Sequence, residues 1–418
     1  MSDLYDADQS PLRVAHRHLS ENDWHYRICL IAAPIALVGA IIAGTFSILW
    51  SGPAPLPPAA VPIQPPKPAP PTSPPPLAPV PAQPAPAVDL EALRDRATTD
   101  SAALNDLRSR AFSGNAEAQF FFATLYDPTL PSIRFSKDGA VAADWYERSA
   151  AQSYAMAGNN LGFLYQNGQG RPKDYAEAAA WYRKAADQGN ALAQLNIGYL
   201  YAHGEGVNQD YAEAMRWYRM AANQGDALAQ NDIGALYGGG LGVTKDYAEA
   251  MRWYRMAANQ GNALAQNNIG DLYYNGQGVN QDAAEAIRWY RMAADQGVAQ
   301  AQNSLGYQYA HGEGVNLDYA EAMRWYRRAA DQGFALAQNN IGTLYGDGVG
   351  VVRDYAEAMR WYRMAADRGD DLAQYNIGNL YANGLSVPRD LGQARQWWRK
   401  AAAAGNDAAK KALAKYGG

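Results

Sequence analysis

The chain has 418 residues and a formal net charge of -5, with 36 Lys and Arg against 41 Asp and Glu. So mixed a balance lacks the basic stripe that nucleic-acid binding requires. Cys29 is the only cysteine, which excludes a disulfide framework and a thiolate metal site.

Residues 1–27 are polar and read as a cytoplasmic tail. Ile28 to Trp50 then run 23 positions without a charged side chain, and about 20 apolar residues cross a bilayer as helix. Trp24, Tyr26 and Trp50 flank that run, where amphipathic rings prefer the membrane interface. The run exceeds the core of a signal peptide, so 28–50 reads as a single transmembrane anchor. Arg13, Arg17 and Arg27 precede it, and Lys67 is the only basic residue from there to Arg94. The positive-inside rule keeps the N-terminus in the cytoplasm and exports the rest. Residues 51–88 follow as a linker, with 17 prolines in the 34 positions of 53–86. Proline fixes φ and lacks an N–H, so this stretch is expected to be an extended stalk about 100 Å long.

From residue 89 onward the chain is periodic. Trp145, Trp181, Trp217, Trp253, Trp289, Trp325, Trp361 and Trp397 recur every 36 residues. A period of this size marks units too small to bury their own apolar faces, which must stack. In the unit beginning at Asn190, Ala193, Ile197, Leu200 and Tyr201 share one face of a helix, called A. His203 to Val207 form a loop, and a helix B starts after Asp210, an N-cap type. Its buried face is expected to hold Tyr211, Ala214, Tyr218, Ala221 and Ala222, ending at Gly225. Gly162, Gly198, Gly234, Gly270, Gly306, Gly342 and Gly378 recur inside helix A, which implies close helix approach, with Ala178 and its equivalents opposite. The repeated tryptophan and the tyrosine after it are expected to supply most of the large apolar area. Glu213/Arg216 and its copies read as solvated ion pairs.

The string Ala-x-x-x-Ile-Gly-x-Leu-Tyr, Gly-x-Gly-Val, Asp-Tyr-Ala-Glu-Ala and Trp-Tyr-Arg-x-Ala-Ala resembles the Sel1-like repeat, a tetratricopeptide relative. The resemblance covers about 115–405 in eight copies. It implies an all-α, right-handed α/α solenoid of helix-turn-helix repeats, with a helical N-cap at 89–114 and a C-terminal cap at 406–418. The first copy departs most: Ala123 replaces the glycine and its loop carries Pro128 and Pro131. In the last copy Ser386 replaces the second loop glycine.

Chemistry-bearing motifs are missing. No Ser-x-x-Lys, His-Glu-x-x-His or phosphate-binding glycine string occurs, and the loop Gly-x-Gly pairs follow a helix, as turns do. His203 and His311 are equivalent but three repeats apart, so they are not expected to share a metal. No catalytic residue, cofactor or metal is expected. What remains is helix A opposite its core alanine. One position there varies: Phe163, Tyr199, Ala235, Asp271, Tyr307, Thr343 and Asn379. Beside it runs a ladder of Asn160, Asn196, Asp232, Asn268, Ser304, Asn340 and Asn376. By resemblance, helix A lines the concave groove, so Phe163, Tyr199, Asp271, Tyr307, Thr343 and Asn379 are expected to contact a bound segment. The asparagine amides would either hold its backbone or bond between adjacent repeats. The resemblance implies a non-enzymatic scaffold for protein or peptide partners, here tethered to the inner membrane with its repeats in the periplasm, near peptidoglycan. Two alternatives stand beside it: a peptidoglycan- or β-lactam-binding cell-wall enzyme, whose family members are cysteine-rich where these repeats have none, and a purely structural spacer.

Overall fold

The same start signal recurs along the chain. Asp174, Asp210, Asp246, Asp318 and Asp354 each accept hydrogen bonds from the backbone N–H groups of the second and third residues of the next helix, the cap geometry that satisfies otherwise orphaned donors. The stop signals alternate. After the first copy, A helices end on a left-handed glycine, such as Gly204 at φ 69°, and B helices on a two-residue turn closed by a second one, such as Gly225 at φ 92°.

The structure, a computed structural model, describes residues 88–130 and 136–417. The described residues contain nineteen helices and no strand. The helices α1 (Leu90–Ala97) and α2 (Ser101–Phe112) come first. Eight A/B pairs follow: α3 (Ala116–Tyr126) with α4 (Gly139–Ala150), α5 (Ala155–Asn167) with α6 (Tyr175–Asp187), α7 (Ala191–His203) with α8 (Tyr211–Asn223), and α9 (Ala227–Gly239) with α10 (Tyr247–Asn259). Next are α11 (Ala263–Asn275) with α12 (Ala283–Asp295), α13 (Ala299–His311) with α14 (Tyr319–Asp331), α15 (Ala335–Asp347) with α16 (Tyr355–Ala366), and α17 (Asp371–Asn383) with α18 (Leu391–Ala403). The last helix, α19 (Asp407–Tyr416), closes the stack by laying Tyr416 on Trp398, ring centroids 5.4 Å apart. Each helix packs on its neighbours in sequence, so the array is a solenoid. The expected tail, anchor and proline-rich stalk at 1–87 lie outside the described residues; among those described, no helix is long and apolar enough to cross a membrane.

Packing departs from expectation in which ring goes deepest. The tyrosine after each tryptophan is the fully buried one: Tyr146, Tyr182, Tyr254, Tyr290 and Tyr326, with Trp398 in the last copy. Among the repeated tryptophans only Trp145, Trp217 and Trp325 are buried; Trp253, Trp289 and Trp361 are half-buried and turn their indole N–H to Glu249, Glu285 and Glu357 at 3.0–3.1 Å. Those glutamates also hold Arg252, Arg288 and Arg360 at 2.8–2.9 Å, so each bridges two side chains. The recurring helix-A glycine answers the tyrosine ring. A Cβ on Gly270 would lie 2.6 Å from the Tyr290 ring, and one on Gly342 2.7 Å from Tyr362. The carbonyl of Ala358 is 3.2 Å from that same point, so the alanine side of the contact is backbone.

The second loop glycine has a separate reason. A Cβ on Gly206 would stand 2.2 Å from the Tyr175 carbonyl group, at the start of the preceding B helix. Ser386 takes this place in the last copy and adopts φ 60°, in the left-handed region.

A glutamine clamp, which no local spacing marks in the sequence, joins consecutive repeats. Gln194 donates to the Ala186 carbonyl of the preceding B helix at 3.1 Å and accepts from Gln224, past its own B helix, at 2.8 Å. Gln302 repeats this with Ala294 and Gln332. The clamp opens where the second glutamine is lost: Arg368 and Ala404 stand in its place, and the Oε1 atoms of Gln338 and Gln374 are buried without a hydrogen-bond partner.

Candidate functional site

The expected groove positions sit deeper than the angle from the core alanine implied. Asp271, Tyr307 and Thr343 are buried, whereas Phe163, Tyr199 and Asn379 are half-buried. That angle treated helix A as having one core stripe. In the stack it meets its own B helix, the preceding B helix and the A helices on both sides, so the free stripe is narrow. The varying position adjoins the buried ring of its own repeat. Tyr290 donates its hydroxyl to Asp271 at 2.8 Å, Tyr362 lies 3.3 Å from the Thr343 hydroxyl, and Trp398 donates to Asn379 at 3.2 Å. Asp271 also accepts from Asn267 at 3.1 Å and Gln300 at 3.5 Å. Part of the variation is therefore different chemistry answering one buried ring.

The ladder amides bond across the stack. Asn196 donates to Asn159, Asn268 to Asn231, Asn340 to Asn303 and Asn376 to Asn339, each at 3.0–3.1 Å and each joining neighbouring A helices. Asn160 instead donates to the Tyr146 hydroxyl at 3.1 Å. These five amide groups hold repeats together. Two rungs are missing: Asp232 faces a register occupied by Leu195, and Ser304 leaves the Asn267 Oδ1 buried without a partner.

The two histidines play a local part. His203 and His311 place Nδ1 2.8 Å from the carbonyls of Tyr199 and Tyr307, one turn back, and stack on those rings with centroids 3.9 Å apart. No group of three or more metal-ligating side chains occurs among the described residues.

Charge separates the two helix rows. The eight A helices contain no lysine or arginine, while the B helices carry Arg216, Arg219, Arg252, Arg255 and their copies. Carboxylates on the A row are raised by burial: Asp232 to about 7, against the pull of the Asn231 amide and helped by Asp226, and Asp370 to about 6.

The Sel1 repeat profile matches this chain at residues 135–154, 155–190, 191–226, 227–262, 263–298, 299–334, 335–370 and 371–406. The chain belongs to the Sel1 repeat family. Its first matched stretch covers only the B half of the first copy, α4, in keeping with the divergent A half there. Among solved structures, a Sel1 repeat protein from Oxalobacter formigenes is 32% identical with a TM-score of 0.55, covering 80% of this chain and 97% of its own. A protective antigen of uropathogenic Escherichia coli strains, described as displaying an SLR fold, is 38% identical with a TM-score of 0.61 and covers 74% of this chain. This chain spans 66% of that antigen's length. No curated protein matches the chain.

Proposed function

We propose that the solenoid is a non-enzymatic scaffold whose A-helix row holds protein partners, tethered to the inner membrane by residues 28–50 and displayed in the periplasm on the proline-rich stalk. One observation carries the interaction reading: the two rows diverge in different ways. Helices α8 and α10 have identical sequences, whereas the half-buried A-row positions Phe163, Tyr199, Ala235 and Asn379 change from copy to copy in size and polarity. A surface that only separates other parts has no use for such change. Family membership supports the reading, since Sel1 repeat arrays are protein-interaction folds. The tether rests on the uncharged 23-residue run with arginine on one side only.

The test is affinity capture from crosslinked cells with wild-type protein and with Phe163→Ala/Asn379→Ala. Partners lost from the double variant while its helical content is kept, and its melting falls no further than the lost Trp398 bond to Asn379 accounts for, support the proposal. Partners retained by that variant but lost after Arg252→Glu on helix B would move the interface to the other row. Capture of nothing under any condition would leave the spacer reading, which the bonds between ladder amides favour.

A further inference from the structure

We propose that the place between α7 and α9 where the asparagine rung is missing is a subsite for an arginine side chain of an extended partner segment, whose guanidinium lies between the Asp232 carboxylate and the Tyr218 hydroxyl. This rests on the scaffold reading of the A row and names the chemistry of its partner.

Three observations converge on this place. First, the asparagine rung is absent here: Asp232 stands at the ladder position, and Leu195, a residue without a polar group, stands where Asn159, Asn231, Asn303 and Asn339 accept in the intact rungs. Ala235, the smallest of the varying side chains, lies one turn on from Asp232. Second, Tyr218 is 2% exposed and no hydrogen bond reaches its hydroxyl from any described residue, a condition it shares with the Tyr326 hydroxyl, whereas those of Tyr146, Tyr182, Tyr290 and Tyr362 each have a partner. Two repeats earlier the equivalent pair, the Asn160 amide and the Tyr146 hydroxyl, lies 3.1 Å apart, which sets Asp232 beside the Tyr218 hydroxyl; burial first, and then Asp232 and Tyr199, raise the pKa of that hydroxyl. Third, nothing cationic compensates the carboxylate. Its hydrogen bond is with the Asn231 amide at 3.2 Å, and it takes part in no ion pair among the described residues. Burial and Asp226 hold it up to about 7, the mark of a carboxylate lacking a cation.

The chemistry selects arginine. A guanidinium presents several N–H donors in one plane, enough for a carboxylate and a neighbouring hydroxyl together. A row of eight helices without lysine or arginine repels no part of a cationic segment laid along it. The segment must be extended, because equivalent positions on successive A helices are reached in turn only by a chain running across them.

The experiment measures binding of fluorescent decapeptides to the full-length protein in detergent, with alternating Arg-Ala, Lys-Ala and Glu-Ala sequences. The Arg-Ala peptide should bind best, the Glu-Ala peptide should not bind, and Asp232→Asn should weaken Arg-Ala binding about tenfold or more. Asparagine is the ladder residue in other copies, so this variant keeps the fold, which circular dichroism verifies. Tyr218→Phe should weaken binding several-fold with an unchanged melt. Glu321→Gln, the same charge change on α14, should have no effect. Wild-type binding should fall between about pH 8 and pH 6 as Asp232 takes up its proton, and Asp232→Asn should lose that dependence. Equal binding by wild type and Asp232→Asn, or equal binding of spermine and the peptide, would overturn the assignment. A captured cellular partner that is indifferent to Asp232→Asn but lost with Phe163→Ala/Asn379→Ala sinks this inference and leaves the scaffold reading standing; loss of every partner from the A row sinks both.

Discussion

Gly270 sits inside a helix, where alanine is ordinarily better by about 1 kcal/mol. A Cβ there would stand 2.6 Å from the Tyr290 ring, so Gly270→Ala should destabilise by about 1–3 kcal/mol, read from urea denaturation; a stabilising change would mean the ring does not press on the helix. Tyr290 is fully buried and holds Asp271, whereas Trp253 is half-buried with its N–H on Glu249. Tyr290→Ala should therefore cost about 3–5 kcal/mol and Trp253→Ala clearly less. Equal losses would restore the tryptophan-centred core that the 36-residue period alone suggests. That period made the tryptophan conspicuous. It could not rank two adjacent aromatic residues by depth, because depth is decided by which ring lies over the glycine about twenty residues back. The same limit applies to Tyr307: it is buried and stacked on His311, so Tyr307→Ala should lower stability as well as any binding.

At the scale of helices, the readable signals were local. Caps, left-handed glycines, the Gly-x-Gly turns and the Glu-Arg pairs three apart all appear where spacing placed them. Bonds across the stack were illegible for a physical reason: an Asn 37 residues from its acceptor, or a Gln 30 from its partner, carries no propensity that identifies the partner. They carry consequences that can be measured. Arg368→Gln should give the orphaned Gln338 Oε1 a donor and stabilise by about 0.5–1.5 kcal/mol; no gain in melting would mean that water already serves that atom. Asp232 has a folded pKa near 7, well above the unfolded value of about 3.9. At about pH 4 and below, both states hold the proton and the carboxylate costs nothing. The cost grows as pH rises toward 7 and is complete above it. Asp232→Asn should then stabilise by on the order of 2 kcal/mol at pH 8, after allowance for its partial exposure, and hardly at all at pH 4. Melts at the two pH values decide this; equal gains at both would deny the raised pKa. Adding Leu195→Asn to Asp232→Asn should complete the missing rung, with a gain beyond the sum of the single changes.

At the scale of the molecule, the family match extends the repeat over residues 135–406 and the structure closes it with α1, α2 and α19. The membrane tether is argued from residues 28–50 alone, and its prediction is topological: an export-dependent reporter fused after residue 60 should be active and one in the N-terminal tail inactive. The reverse pattern would place the repeats in the cytoplasm and remove the periplasmic reading without touching the scaffold. Which face of the array meets a partner was legible in part. Charge separation between rows is plain in the residues, but the exposure of each A-row side chain depended on neighbours that only the packed stack defines.

The central claim is that the A-helix row is the interaction surface, and site-specific photo-crosslinking in living cells tests it most directly. A photoreactive residue at Phe163 or Asn379, half-buried on the A row, is compared with one at Met256, exposed on α10. The account predicts discrete protein adducts from the first two positions and none from the third; adducts from Met256 with none from Phe163 or Asn379 would contradict it.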